Sequence, residues 1–297
     1  MASLKDIKRH IKAVKQTQKL TRAMNMVAAS KLRQTQNRAE RFRYYADEHE
    51  RLIQEIAKRS PEDACSLLSS SKSEKSGTAK KALILAISSD RGLCGSFNSN
   101  IFSAVDKANV SLLQEGFDPE FFLIGRKARD YYQRRRVVIH NKMVDALNSF
   151  DYVLAKAIAD DLIEDFLSGR YQEIWLIYTR FYSLNKLVVE YDRFLPLGPE
   201  PEKGASAVPE ALDYLVEPSA QTLMERLIPR SLAILVYRAM LESVTSENAA
   251  RMQAMDNASK SCKDIIESLT MAYNKARQAA VTSELLDIVN GAEALKG

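Results

Sequence analysis

Ser89-Asp90-Arg91-Gly92-Leu93-Cys94-Gly95 follows a β-rich run and precedes a helical window, the place where α/β folds bind phosphates. Its hydroxyl, carboxylate, guanidinium and thiol could orient a phosphate or attack an electrophile. The spacing argues against both. A phosphate-cradling loop ends in Lys-Ser/Thr and a dinucleotide fingerprint carries a third glycine, and the segment has neither. The alternative is a tight strand-to-helix turn in which Gly92 and Gly95 supply backbone freedom. Cys94 has no histidine near it in sequence to take its proton, and His140 is the only one between residues 79 and 218. A packing role is expected for this thiol, and no catalytic residue is assigned.

The three cysteines, Cys65, Cys94 and Cys262, and the three histidines, His10, His49 and His140, are widely scattered. That spacing fits reduced thiols better than a disulfide framework or a zinc site, so neither a metal nor a cofactor is expected. Charge is distributed less evenly than the net value of +5 suggests. Residues 1–40 hold ten Lys/Arg against two Asp/Glu, which is +8 and leaves −3 for the remainder. The face bearing Lys5, Lys8, Arg9, Lys12, Lys15, Lys19, Arg22, Lys31 and Arg33 has three readings: contact with nucleic-acid phosphates, attraction to acidic protein surfaces, or simple solvation. Aromatics are absent from residues 1–41, which weighs against stacking on single strands. Glu247 and Arg251 stand four apart, where a local ion pair of about 0.3–0.5 kcal/mol is the plain reading. Met24, Met26, Met252 and Met255 read by default as flexible core fillers. Arg277 and Gln278 are harder to place within the chain, because an Arg fork suits carboxylate or backbone oxygens of another subunit.

These residues sit on elements that the hydrophobic period defines. From Leu4 to Lys58 there is neither Gly nor Pro, so one long helix is the economical reading. Leu4, Ile7, Ile11, Val14, Gln18, Thr21, Asn25, Ala28, Leu32, Thr35, Ala39, Phe42, Ala46, His49, Ile53 and Ile56 make a heptad-like stripe that seeks a partner helix. The expected organisation is an N-terminal coiled-coil helix over 1–60, a Ser/Lys-rich linker over 61–78, a central α/β domain over 79–218 and a C-terminal coiled-coil helix over 219–297. In the central region, β-rich runs at 82–88, 120–124, 173–178 and 186–194 alternate with helical windows near 98–114, 127–135 and 150–167. The fold class is thus α/β, a Rossmann-like domain with a largely parallel sheet, plus a long antiparallel α-helical coiled coil formed by the two ends. The last helix carries a narrow stripe (Leu223, Leu227, Leu235, Met252, Met255, Cys262, Ile266, Leu269, Tyr273, Ala276, Ala280) that then shifts register to Val281, Leu285, Ile288 and Ala292. Pro229 is its one expected kink.

The two helices differ in length. At about 1.5 Å per residue, roughly 55 residues span ~80 Å and roughly 75 span ~110 Å. The surplus of about twenty residues is AYNKARQAAVTSELLDIVNG, residues 272–291. Left in water, Val281, Leu285, Ile288 and Val289 would be an aggregation liability, so a partner protein is expected to sheathe this tail.

Several segments together carry a family likeness. They are Lys15-Gln-Thr-Gln-Lys-Leu-Thr21, Ala23-Met-Asn-Met-Val-Ala-Ala-Ser-Lys-Leu32, Ser89–Gly95, Ser246-Glu-Asn-Ala-Ala-Arg-Met-Gln-Ala-Met255 and Tyr273-Asn-Lys-Ala-Arg-Gln-Ala279 with Thr282 and Glu284-Leu285. Spread in this order over nearly the whole chain, they resemble the gamma subunits of F-type ATP synthases, the central rotor stalk. The resemblance implies a non-catalytic shaft in a proton-translocating complex, turning inside a hexamer of alpha and beta subunits. It also implies contact with an epsilon subunit and with a membrane ring of c subunits. By family pattern, Arg277, Gln278 and Thr282 match tail positions that engage the catalytic hexamer. Met24 and Arg251, with Glu247 beside the latter, match the shaft region near the moving acidic loops of the catalytic subunits, and Tyr214 lies in the segment that meets the ring. Where many relatives have Tyr-Leu-Tyr-Glu-Pro, this chain has Tyr214-Leu-Val-Glu-Pro218. No inserted cysteine pair of the chloroplast kind is present, so dithiol regulation is not expected. The start at Met1 without a transit peptide points to a bacterial protein, peripheral on the cytoplasmic side of the cell inner membrane, with no nucleic-acid partner.

Overall fold

A computed structural model describes residues 4–57, 80–135, 137–197 and 219–294. The chain forms two compact units, one of Met1–Ala29 with Arg251–Gly297 and the other of Ser30–Ala250. Two helices are divided between them: α1, Leu4–Ala57, of 54 residues, and α5, Ala220–Ala294, of 75. In α1 every expected stripe position from Leu4 to His49 is buried or half-buried, while the residues between them are mostly exposed. Ile53 and Ile56 lie outside the described side chains. Met26 is a correction: it is 60% exposed, because it falls between Asn25 and Ala28 and misses the stripe. The expected linker over 61–78 also lies outside the described residues.

In the unit of Ser30–Ala250, β1 (Lys80–Ile87) is the middle of a five-stranded sheet. It runs parallel to β2 (Phe117–Ile124) on one side and to β4 (Glu173–Ser183) on the other. Beyond β2 lies parallel β3 (Ile139–Met143), and beyond β4 lies antiparallel β5 (Lys186–Leu195), giving the order β3-β2-β1-β4-β5. β1 reads as an unbroken apolar run because both of its faces are covered. Ala82, Ile84 and Ala86 face α2 (Phe97–Gln114) and α3 (Arg126–Arg134), through Ile101, Val105, Ala128 and Tyr132. Leu83, Leu85 and Ile87 face the other way, toward α4 (Tyr152–Leu167) and α5, through Ile158, Leu162, Leu232 and Val236. Each leucine, isoleucine or valine of this set, taken fully out of water, contributes about 1.5–3 kcal/mol.

Two sequence expectations are revised. β3 is an additional strand, Ile139-His-Asn-Lys-Met143, half-exposed along its length; an edge strand needs only one apolar face, and its polar middle hides the period. The narrow stripe expected along α5 is interrupted between Leu232 and Ala249. From Leu232 to Ala249 every residue except Leu235, Arg238 and Glu247 is buried, because the sheet covers one side of the helix and Ala39 and Phe42 of α1 pack into the same cluster. A helix buried all round has no amphipathic period to read. α5 is continuous through Pro229, which has no N–H to offer the carbonyl of Glu225.

Candidate functional site

The loop after β1 uses its polar groups on its own fold. Asn98 accepts from the Ser89 N–H (3.1 Å), and its amide donates to Ser89 Oγ (2.8 Å) and Cys94 Sγ (3.2 Å). The Asp90 carboxylate, only 8% exposed, accepts from the Arg126 N–H (2.9 Å) and from the Asp145 N–H (3.0 Å). It thus occupies the N-terminus of α3, where an anionic ligand would otherwise dock. Ser88 Oγ accepts from the Ala128 N–H (2.9 Å) in the same first turn of that helix. The expected strand-to-helix turn is present, with one correction: the left-handed residues are Leu93 (φ 62°) and Gly95 (φ 57°), not Gly92. A Cβ on Gly92 would meet only the flexible Lys127 side chain at 3.6 Å. Cys94 and Cys262 are buried and form no disulfide among the described residues, and Cys65 lies outside the described residues. His140 is paired with Asp165 (3.0 Å). Among the described residues no group of three or more His, Cys, Asp and Glu side chains could hold a metal ion.

The other candidate lies in the unit of Met1–Ala29 and Arg251–Gly297. The Gln18 amide donates to the Ser259 carbonyl (3.5 Å) and the Asn25 amide to the Met252 carbonyl (2.8 Å). In both pairs the residue numbers total 277, the signature of two antiparallel helices in one register. The polar middle of the α1 stripe therefore holds the register by bonding to the partner backbone, which apolar side chains cannot do. Extended along the pair, this register sets Leu4 level with Tyr273. The 21 residues from Asn274 to Ala294 are still helical and reach ~32 Å further.

Burial changes along this end accordingly. Met255 and Cys262 are buried, and Ile266, Leu269, Tyr273, Ala276 and Ala280 are half-buried, whereas residues 281–291 are all exposed. Val281, Leu285, Leu286, Ile288 and Val289 each expose half or more of their surface, up to 67% for Ile288. Arg277, Gln278 and Thr282 lie on the same exposed end, and the Thr282 hydroxyl donates back to the Gln278 carbonyl (2.9 Å). The structure brings these three together on adjacent turns. It does not bring them to Met24 or Arg251: the register sets Met24 level with Gln253, some 24 residues or ~36 Å of helix before Arg277. Met24 and Arg251 are half-buried at that second station, and Glu247 is half-buried in α5. Tyr214 lies outside the described residues. What sequence reasoning missed is the buried cap Asp90, whose partners stand 36 and 55 residues away and leave no local signal.

Among the described residues no helix is long and apolar enough to cross a membrane. A family model described as ATP synthase matches residues 3–295. The chain is 42% identical over 298 residues to the ATP synthase gamma chain of Syntrophus aciditrophicus, covering 99% of both. It is 41% identical to that of Nitratidesulfovibrio vulgaris strain Miyazaki F over the whole of both chains. Among solved structures it is similar to a chain of the Tetrahymena thermophila mitochondrial ATP synthase central stalk and c-ring, with 28% identity and a TM-score of 0.59 over 81% of this chain and 99% of that one. A chain of the Euglena gracilis mitochondrial ATP synthase shares the fold at a TM-score of 0.66 with 16% identity, over 98% and 94% of the two chains. With matching segments at both ends, an antiparallel helix pair of unequal length and an α/β sheet between them, the chain belongs to the ATP synthase gamma-chain family.

Proposed function

We propose that this chain is the central rotor shaft of an F-type ATP synthase, a non-catalytic subunit that couples ion flow through a membrane ring to conformational change in an alpha/beta hexamer. The observation that carries the reading is the length mismatch. Helix α5 continues past the end of α1 with an apolar face that the other described residues leave exposed, and the barrel of a hexamer would cover such a rod on every side. The solved relatives are named as a central stalk with a c-ring and as part of an assembly with F1 and a c-ring. The partners proposed for this chain are accordingly alpha, beta, epsilon and the c-ring.

In this reading Arg277, Gln278 and Thr282 engage the hexamer through the tail, and Met24, Arg251 and Glu247 do so at the second station. Tyr214 meets the ring. The N-terminal helix over 1–60 and the C-terminal helix over 219–297 form the shaft, and the domain over 79–218 is the foot, joined through the linker at 61–78. The complex places the chain on the cytoplasmic side of the inner membrane, held there peripherally. Catalysis stays in the hexamer. The shaft, asymmetric about its axis, contacts each catalytic subunit differently at each angle and so shifts the population of its conformers.

Ending the chain after Tyr273 tests the proposal. The α/β unit is expected to keep its far-ultraviolet dichroism and cooperative unfolding, whereas ATP-driven ion pumping by the reconstituted complex falls at least several-fold. Native pumping without the tail would overturn the rotor reading.

A further inference from the structure

β4 is longer than its neighbour β1: their pairing ends at Ala86 and Ile177, while β4 continues to Ser183. Past that point β5 still covers one edge of β4, out to the pair Ser183 and Lys186. The edge vacated by β1 would present unpaired backbone groups, which a buried site cannot tolerate. Side chains of α5 take the place of the missing strand. The Phe181 N–H donates to Glu242 Oε2 (2.9 Å) and the Thr179 N–H to Ser243 Oγ (3.4 Å), while the Ser246 hydroxyl donates to the Thr179 carbonyl (3.1 Å). The two strand residues are two apart and so share an edge, and the three helix residues span one turn. Glu242 is 3% exposed, Ser243 1% and Ser246 0%. The other oxygen of Glu242 accepts from Arg43 of α1 (3.4 Å), so one carboxylate joins the sheet to both long helices.

The position is unusual for these residue types. Apolar packing along this helix is extensive, but the attraction behind it is non-directional. Hydrogen bonds weaken steeply when bent, and a buried carboxylate that loses them is strongly penalised. We propose that Glu242, Ser243 and Ser246 form a rotational lock, positioning residues that fix the angular setting of α5 against the α/β body so that a torque on the body turns the helix instead of slipping past it. The lock rests on the rotor reading and names where the load crosses from sheet to shaft. These residues act through the helix that carries them.

The test uses the whole complex reconstituted in vesicles, measuring ions pumped per ATP hydrolysed. The variants are Ser243→Ala with Ser246→Ala, Glu242→Leu, and Glu242→Gln, which keeps an acceptor for the Phe181 N–H. The serine pair and Glu242→Leu are expected to lower the pumping ratio at least twofold against an opposing ion gradient, with unloaded ATP hydrolysis unchanged, and Glu242→Gln to restore most of it. Ile228→Val in the same cluster serves as a stability control. A native ratio in the serine pair, or a loss matched by the control at equal thermal midpoint, would overturn the lock. If Glu242→Leu does not assemble, the serine pair, which removes two hydroxyls and adds no bulk, decides the question alone. Failure of the lock leaves the tail truncation effective; failure of the rotor reading abolishes both effects.

Discussion

Gly125 has φ 102°, and a Cβ built there would stand 2.2 Å from the Ser88 carbonyl oxygen and 2.6 Å from its Oγ. That hydroxyl is not free to move, because it accepts from the Ala128 N–H and donates to the Ile124 carbonyl. Gly125→Ala therefore meets both strain and collision and is expected to cost about 3 kcal/mol or more in urea unfolding. Gly92→Ala, in the loop between β1 and α2, is expected to stay within about 0.5 kcal/mol. Equal effects at the two sites would show that backbone freedom is not what selects glycine at position 125. A second residue, His49, is 8% exposed, with Nδ1 3.2 Å from Ser231 Oγ and Nε2 buried without a hydrogen-bond partner among the described residues. Burial, and secondarily the charge of Arg230, hold its pKa below the ordinary histidine value; Tyr45 packs beside the ring. Between the folded and the ordinary value the unfolded chain binds a proton that the folded chain does not. Stability thus falls as pH drops through about 6.5 and stops falling below the folded pKa. His49→Asn, which keeps a polar partner for Ser231, is expected to flatten that acid-side loss when thermal midpoints are compared between about pH 7.5 and about pH 5.5. An unchanged slope would assign the acid sensitivity to other groups.

Among the elements, the two ends of α5 should respond oppositely to the same kind of change. Met255 is 5% exposed against α1, and Met255→Ala is expected to cost about 2 kcal/mol or more in the isolated chain. Ile288 is 67% exposed, so Ile288→Ser should be within about 0.5 kcal/mol of neutral in the isolated chain and should show its cost only on assembly with the hexamer. Denaturant unfolding of the free chain beside assembly titrations separates the two, and a large loss at Ile288 in the free chain would mean the tail has a partner within its own chain. The same contrast explains what the sequence made legible. The α1 stripe could be read from Leu4 to His49 because only one face of this helix is buried and the pattern repeats without interruption. The tail could be read because helix length is simple arithmetic. The middle of α5 could not, since the sheet and α1 cover it from both sides and erase the period. Nor could Glu242, Ser243 and Ser246, whose partners on β4 are distant in sequence, or Met26, which an apolar count places inward and the heptad turns outward.

At the scale of the whole molecule, charge is the property left to assign. The chain carries +5 overall, yet residues 1–40 hold +8, and the nine basic side chains of that face are all exposed. The family assignment leaves the nucleic-acid and nucleotide-binding readings without support, so the choice lies between attraction to acidic protein surfaces and solvation. Charges on such an exposed face act over about 8 Å at physiological salt and much less at high salt. They therefore affect the rate of encounter more than the final contact. Changing Lys8, Lys12, Lys15 and Lys19 together to Gln leaves the α1 stripe intact, since none of them faces α5. If the hexamer lining is acidic, the association rate of this variant with assembled alpha and beta subunits, followed by stopped-flow fluorescence, should fall about tenfold at low salt. The native and variant rates should then converge as the salt approaches about 0.5 M, where screening removes the field. Equal rates at low salt would instead make the basic face a solvated one, whose task is to keep an otherwise apolar rod dispersed before it is sheathed.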